Sequence, residues 1–304
     1  MKSDSPAGLR RKIGSAADLQ SVVRAMKAQA AASVGQYERS VAALGDYARS
    51  VELGLSVCFR QVAAQAETAP AQSRKAGGAI RAIVFGSDQG LVGRFNDIVV
   101  DFARAALAPL SARASVWAVG DRVNASLRDT DTPLLGVFPV PGSVEAIAAL
   151  VSDILVTVVR EFGDPDQPAV STELHLYYNR PGAGSGYAPV GQRLLPLDAA
   201  WQHRLAARPW PTSMPPETLG NLKTTLRALI REYLFVSIFR ACAESLASEN
   251  ASRLAAMDRA DRNIDTMLGT LNDRLHRLRQ AQIDEELSDV ISGFKALSDA
   301  SRAA

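Results

Sequence analysis

The sequence predicts an α/β protein in which long N- and C-terminal helices pair as an antiparallel coiled coil beside a small central α/β domain of Rossmann-like order. Residues 9–66 contain no proline, and their apolar side chains return on one helical face. The chain after Pro216 shows the same pattern, whereas in the segment between these two regions short apolar strands alternate with helices. These changes of period predict three segments: 1–70, 71–208 and 209–304.

The N-terminal segment is predicted to be one long helix. From Ala30 to Val62 its apolar positions recur in steps of three and four, which is a heptad seam of about four heptads. A continuous helix over residues 9–66 would be roughly 85 Å long. The seam consists of Ala30, Val34, Tyr37, Val41, Leu44, Ala48, Val51, Leu55, Cys58 and Val62.

The C-terminal segment is predicted to be a second long helix that begins at Pro215-Pro216-Glu217, because proline and an acid suit a first helical turn. At about 125 Å, this helix cannot be buried in a globule of about 20 Å radius. We therefore expect it to pair with the first helix, and at least one helix to project. Its three seams are Leu219 to Val236, Ile264 to Leu278 and, after a register break, Ile283, Leu287, Val290, Phe294 and Leu297.

The central segment is predicted to hold a mostly parallel sheet with a hairpin at one edge. Apolar strands are expected at 79–86, 114–119, 134–138 and 172–179, followed by a return strand that ends near Leu197. Helices are expected at 91–110, after Asp121, and after a cap at Ser143. Four prolines in 209–216 predict the linker into the last helix.

Composition excludes several classes of function. The net charge of +2 gives no general attraction to nucleic acid, and basic Arg10 and Arg11 favour an acidic protein partner instead. Cys58, Cys242 and three scattered histidines form no metal-ligand spacing, so neither metal nor cofactor is expected. We also expect no signal peptide, and no run of about 18 apolar residues is present to span a membrane.

The glycine-rich segment Gly86–Gly93 follows a predicted strand and opens a helix, the usual place of a phosphate-binding loop. It fits neither G-x-x-x-x-G-K-[ST] nor G-x-G-x-x-G, which favours a tight structural turn. A small α/β nucleotide-binding enzyme with coiled-coil arms stays open as the alternative function.

Five segments together resemble a known family. The most specific is Ser245–Met257, SLASENASRLAAM. The others are 9–27 with its Arg-Ala-Met-Lys end, SDQGLVGRFN at 87–96, LLPL at 194–197, and RQAQIDEEL at 279–287 followed by VISG. They occur in the family's order over nearly the whole chain, which resembles the gamma subunit of the F-type ATP synthase.

The resemblance implies a central-stalk rotor with no catalytic, cofactor-binding or metal-binding residue. In that family the paired helices stand inside a hexameric ring of catalytic and non-catalytic nucleotide-binding subunits, and the α/β domain sits on the membrane c-ring near the epsilon subunit. Ion-driven rotation is thereby coupled to ATP synthesis or hydrolysis. The implied location is the cytoplasmic face of the bacterial inner membrane, reached only through partners. Met26, Lys27, Arg279, Gln280 and Glu286 match segments that contact the catalytic subunits.

The chain also departs from the family's pattern. Residues 28–33 read Ala-Gln-Ala-Ala-Ala-Ser where Met-Val-Ala-Ala-Ser-Lys is usual, Asp284 replaces a threonine, and Val92 stands where a cysteine is common. These departures fit a divergent branch, for which the alternate, sodium-type bacterial ATPase is the candidate. The membrane subunits choose the coupling ion, so this chain does not identify it.

Overall fold

The structure is a computed structural model that describes residues 5–66, 78–129, 132–162, 172–182, 186–214, 216 and 220–302. Its two longest helices are the first and the last. Helix α1 spans Pro6–Ala66 and helix α6 spans Leu222–Arg302. Parts of both helices belong to each of two units, one made of residues 1–29 with 254–304 and the other of residues 30–253. The prediction of two long terminal helices is confirmed.

In the unit of residues 30–253, the two helices run antiparallel. The Tyr47 hydroxyl on α1 donates to the Glu232 carboxylate on α6 at 2.6 Å. Seven residues further along α1, Gly54 lies against the side chain of Leu229. The α1 seam is buried or half-buried through Cys58, whereas its last member, Val62, is exposed.

The same unit contains a five-stranded sheet. Its strands are β1 Ile80–Phe85, β2 Ala114–Val119, β3 Leu134–Phe138, β4 Glu173–Pro181 and β5 Tyr187–Leu195. In the sheet they lie in the order β3-β2-β1-β4-β5. The first four strands in this order pair in parallel, and β5 pairs antiparallel with β4. The predicted parallel sheet with an edge hairpin is therefore confirmed.

Helices cover both faces of the sheet, which explains why the central strands are apolar at almost every position. These helices are α2 Phe95–Leu107, α3 Asp121–Arg128 and α4 Val144–Phe162, and the Ser143 hydroxyl caps α4 as predicted. The sheet with α2, α3 and α4 is called the central domain. Alternate residues of β1 enter two different cores: Ile83 packs with α4 and with parts of α1 and α6, whereas Val84 packs with α2 and α3.

Helix α2 begins four residues later than the predicted Leu91. Leu91 and Gly93 have positive φ angles of 63° and 59°, which a right-handed helix does not allow. The chain therefore makes a turn first and enters the helix at Phe95. A 3-10 turn at Ala108–Arg113 replaces the predicted last turn of this helix.

Helix α6 also begins later than predicted, at Leu222 rather than at Pro216. Gly220 has a φ of 87°, and the Asn221 side chain accepts a hydrogen bond from the Lys223 N–H at 2.9 Å. Asn221 thus acts as the N-cap, although the sequence predicts a helix start at Pro215-Pro216. A further helix, α5 Ala199–Ala207, capped by Asp198, lies in a stretch left without a predicted element.

Candidate functional site

The unit of residues 1–29 and 254–304 contains the candidate partner-contact residues. Its core is a narrow seam in which Ala16 and Val23 on α1 pack with Met257 and Ile264 on α6. On each helix the two residues are seven positions apart, which is the repeat of a coiled coil. Four buried side chains form this core, and Ala16 and Val23 among them are small, so the seam buries little apolar surface.

Polar pairs flank the seam and fix its register. Gln20 Nε2 donates to Asp261 Oδ1 at 3.1 Å and approaches Asp265 Oδ1 at 3.4 Å. Further along α1, Arg24 Nε donates to Asp261 at 3.1 Å, and Lys27 Nζ donates to Asp258 Oδ1 at 2.5 Å. Sequence numbers rise on α1 as they fall on α6, so the helices are antiparallel here too.

The three aspartates of these pairs were missed at the level of sequence. A signal for them existed, because acids at 258, 261 and 265 are three and four residues apart and share one helical face. The hydrogen bond from Lys27 is the main cause that lowers the pKa of Asp258.

On α1, the candidate residues differ in how far they are free to meet a partner. Arg10 and Arg11 are exposed. Met26 is half-buried against the seam. Lys27 is half-exposed, and its ammonium group is held by Asp258 and, at 4.0 Å, by Asp261. The two arginines are thus open to another protein, whereas Lys27 also ties α1 to α6.

On α6, Arg279, Gln280 and Glu286 are all exposed. Gln20 on α1 faces Asp265 on α6. Pro6, where α1 begins, lies fourteen residues before Gln20. Because the helices are antiparallel, Pro6 faces the position fourteen residues after Asp265, which is close to Arg279. Beyond that point α6 runs past the described start of α1.

The predicted third seam lies in that overrunning segment. Its described side chains are more than half exposed because no described part of α1 reaches them: Ile283 56%, Leu287 55% and Val290 69%, together with neighbouring Ile291 at 56%. The side chains of Phe294 and Leu297 lie outside the described residues. The segment therefore presents apolar and charged groups together on its surface.

The second candidate region is the loop Gly86–Gly93 between β1 and α2. Its backbone is held by side chains of the chain itself: Asn96 Oδ1 accepts from the Ser87 N–H at 3.0 Å, and Asn96 Nδ2 donates to Ser87 Oγ at 2.9 Å. The Asp88 carboxylate accepts from the N–H groups of Asp121 and Val140, both at 3.0 Å. Asp88 thus joins the start of α3 to the segment after β3.

This geometry does not favour the nucleotide-binding alternative. A phosphate would bind at the loop and at the start of α2, but the Ser87 N–H already donates to Asn96 Oδ1 and the Phe95 N–H already donates to the Val92 carbonyl oxygen. A shallow cavity of about 440 Å³ lies beside the loop, and Arg122 and Asp97 are the charged groups among the described residues that line it. Their opposite charges offset each other, so the cavity has little net attraction for a phosphate.

The most specific sequence motif, on α6, packs against this loop. Ser252 Oγ donates to the Val92 carbonyl oxygen at 2.6 Å. Next to it, Arg253 donates to the buried Glu249 carboxylate at 2.6 Å. Burial raises the pKa of Glu249, the charge and hydrogen bond of Arg253 oppose that shift, and the charge of Asp88 adds to it. Spacing alone could not reveal that the two motifs meet.

Neither a metal centre nor a membrane span emerges from the described part of the chain. No group of three or more potential ligands gathers there. Within the same residues, no helix combines the length and apolarity needed to cross a bilayer. Cys58 and Cys242 are buried, and burial raises the pKa of both thiols, which makes them poor nucleophiles.

Comparison with known proteins gives the same family over nearly the whole chain. A family model described as ATP synthase matches residues 5–297. The ATP synthase gamma chain of Moorella thermoacetica is 29% identical over 292 residues, covering 95% of this chain and 98% of the relative. The gamma chain of Syntrophus aciditrophicus is 27% identical over 301 residues, covering 95% and 97%.

Solved structures show the same fold. The rotor of Euglena gracilis mitochondrial ATP synthase includes a chain with a TM-score of 0.57 and 15% identity, covering 91% of this chain and 98% of that one. In the central stalk and c-ring of the Tetrahymena thermophila enzyme, a chain matches with a TM-score of 0.55 and 20% identity, covering 79% and 99%. These findings confirm the resemblance seen in the sequence, and the chain therefore belongs to the ATP synthase family, as a gamma chain.

Proposed function

We propose that this gamma chain is the central-stalk rotor of an F-type ATP synthase, coupling ion-driven rotation to ATP synthesis or hydrolysis at neighbouring catalytic subunits. The observation that carries the proposal is the overrunning part of α6, where apolar Ile283, Leu287 and Val290 are exposed beside charged and polar groups. Exposure of these apolar side chains to water is unfavourable in free energy, so a surrounding protein is expected to enclose the helix.

The chain contributes no catalytic group of its own in this proposal. The terminal segments 1–70 and 209–304 form the shaft, and the central segment 71–208 forms the foot. The foot meets the epsilon subunit and the membrane c-ring, while the shaft meets the hexameric ring of nucleotide-binding subunits. The chain is peripheral, on the cytoplasmic face of the bacterial inner membrane. Its assignment to the alternate, sodium-type branch stays a prediction.

The proposed partner-contact residues fall into two groups that differ in exposure. Arg10, Arg11, Arg279, Gln280 and Glu286 project from helices and can exchange partners as the shaft turns. Met26 and Lys27 are proposed to act differently. They sit on the seam side, so they set the local distance between α1 and α6 as well as touching the ring.

Reconstitution tests the function. The purified chain should hydrolyse no ATP, and adding it to the nucleotide-binding subunits, the remaining rotor subunits and the membrane subunits should restore ATP-driven ion pumping. A purified chain that hydrolyses ATP unaided would sink the proposal, and so would a complex that pumps ions equally well without it.

A matched pair of variants tests the contact residues. In the assembled complex, Arg279→Ala and Glu286→Ala should lower the number of ions pumped per ATP hydrolysed. Arg128→Ala removes an arginine that is also exposed, on α3, and is not among the proposed contact residues, so it should leave that ratio unchanged. Equal behaviour of all three variants would remove Arg279 and Glu286 from the interface.

A further inference from the structure

A row of three polar side chains on α6 contacts the central domain at separate points. Glu244, Ser248 and Ser252 are four residues apart, so they project from one face of the helix. We call them the polar row. All three lie within the unit of residues 30–253.

Two members of the polar row bond to the backbone of the central domain. Ser252 Oγ donates to the carbonyl oxygen of Val92, in the loop before α2, at 2.6 Å. Ser248 is buried, and its hydroxyl proton is shared between the carbonyl oxygen of Glu244 in its own helix, at 2.9 Å, and that of Asn179 at the end of β4, at 3.0 Å. Asn179 in turn donates to the carbonyl oxygen of Phe95 at 2.8 Å, which links the two contact points.

The third member makes an ion pair with the adjacent residue of β4. The Glu244 carboxylate accepts from Arg180 Nε at 2.9 Å, and its side chain is only 14% exposed. Arg180 also donates to the Tyr178 hydroxyl at 2.6 Å. Burial and the charge of Glu244 raise the pKa of Tyr178 to about 12, so this hydroxyl keeps its proton at any physiological pH.

Directional bonds matter here because they specify one rotational position more sharply than apolar contacts do. Next to the polar row, α6 buries the small Ala241, Ala243 and Ala247 as well as the larger Ile238 and Leu246, and these contacts resist rotation without requiring one exact angle. A rotation of about 30° would move an oxygen about 4 Å from that axis by about 2 Å, which is enough to break a hydrogen bond.

We propose that the polar row fixes the rotational position of α6 on the central domain and so transmits torque between the foot and the shaft. This inference rests on the proposed rotor function and names the residues that prevent slip within it. The three contacts act as positioning groups, because each joins α6 to the central domain of the same chain.

The test uses the complete ATP synthase in membrane vesicles, with Ser248→Ala and Ser252→Ala combined. Each lost hydrogen bond is worth about 1 kcal/mol, or about fivefold in the equilibrium constant for slip, so the two losses together raise that constant about 25-fold. The ions pumped per ATP hydrolysed should therefore fall in proportion to the share of turnovers that slip, while ATP hydrolysis and complex assembly persist. Ser245→Ala is the matched control, because Ser245 is also buried on α6 and its hydroxyl has no hydrogen-bond partner in the described chain. An unchanged ratio in the double variant would overturn the proposal.

Charge reversal gives a second test that does not depend on the serines. Arg180→Glu and Glu244→Arg should each lower the pumping ratio, and the two together should restore it. A double reversal that stays as uncoupled as the single changes would overturn the proposal, even if the serine variant fails to assemble. Failure of the rotor function itself looks different, because the wild-type complex would then pump no ions.

Discussion

Gly86, at the end of β1, is a position where the fold leaves no room for a side chain. A Cβ atom there would lie 1.9 Å from Val123 Cγ2 and 2.7 Å from Asn96 Oδ1. We expect Gly86→Ala to lower the free energy of unfolding by about 3 kcal/mol, because the start of α3 and the Asn96 bonds must move. The measurement is urea denaturation of the full chain.

The matched control for that change is Gly90→Ala in the same loop. Its Cβ would lie 3.4 Å from a guanidinium nitrogen of Arg122, a flexible side-chain end that can shift. The expected change is within about 0.5 kcal/mol. Equal losses at the two glycines would mean that packing around Gly86 is not what requires glycine.

Asp258 gives the coiled-coil unit a pH dependence of predictable sign. Its folded-state pKa lies below the ordinary value of 3.8, chiefly because Lys27 donates a hydrogen bond to it. The stabilisation is therefore fully present at neutral pH, and it disappears as the pH falls from about 5 through the folded-state pKa. Asp258→Asn should lower the melting temperature at pH 7, and the difference from wild type should shrink below about pH 5.

Asp273→Asn, at an exposed aspartate of the same helix, is the control for that prediction. Its effect should be smaller at pH 7. If the Asp258→Asn difference were constant from pH 7 to pH 4, the Lys27 hydrogen bond would not be its source.

Among the elements, the long helices and the strands follow from the sequence, whereas their ends do not. Apolar periodicity determines where Ile264 and Leu275 are buried, so the seam of α6 was predictable. The start of α6 depends on Gly220 and Asn221, a backbone conformation that no period encodes. The polar contacts of Asp88 and Ser252 join segments far apart in the chain, so only the folded structure reveals them.

Continuity of α6 at Leu271 leads to a prediction at the element scale. Leu271→Pro would remove a helix hydrogen bond and kink the helix at a cost of about 3 kcal/mol or more. We expect the assembled complex to lose coupling between ATP hydrolysis and ion pumping, or to fail in assembly. Leu271→Ala keeps the helix, truncates only a half-buried side chain and should leave coupling largely intact. A fully coupled proline variant would contradict a need for an unbroken helix.

The two units of the whole molecule are stabilised by different means. The unit of residues 30–253 has cores on both faces of its sheet, with Phe85, Ile154 and Tyr178 fully buried. In the unit of residues 1–29 and 254–304, the described core is a narrow seam in which Ala16 and Val23 meet Met257 and Ile264, flanked by ion pairs. Exposed ion pairs add little stability, so this second unit is expected to open first when the free chain is destabilised.

The overrunning end of α6 should therefore contribute nothing to the stability of the free chain. A chain that ends at Ala281 loses Ile283, Leu287 and Val290, which are exposed, so its melting temperature should stay within about 2 °C of the wild type. A chain that ends at Asn263 also loses the buried Ile264 and should melt earlier. In the assembled complex, by contrast, the chain that ends at Ala281 should already pump fewer ions per ATP hydrolysed, because the lost surface is the part that partners enclose. A large drop in melting temperature for the longer truncated chain would show instead that the end of α6 packs within the free subunit.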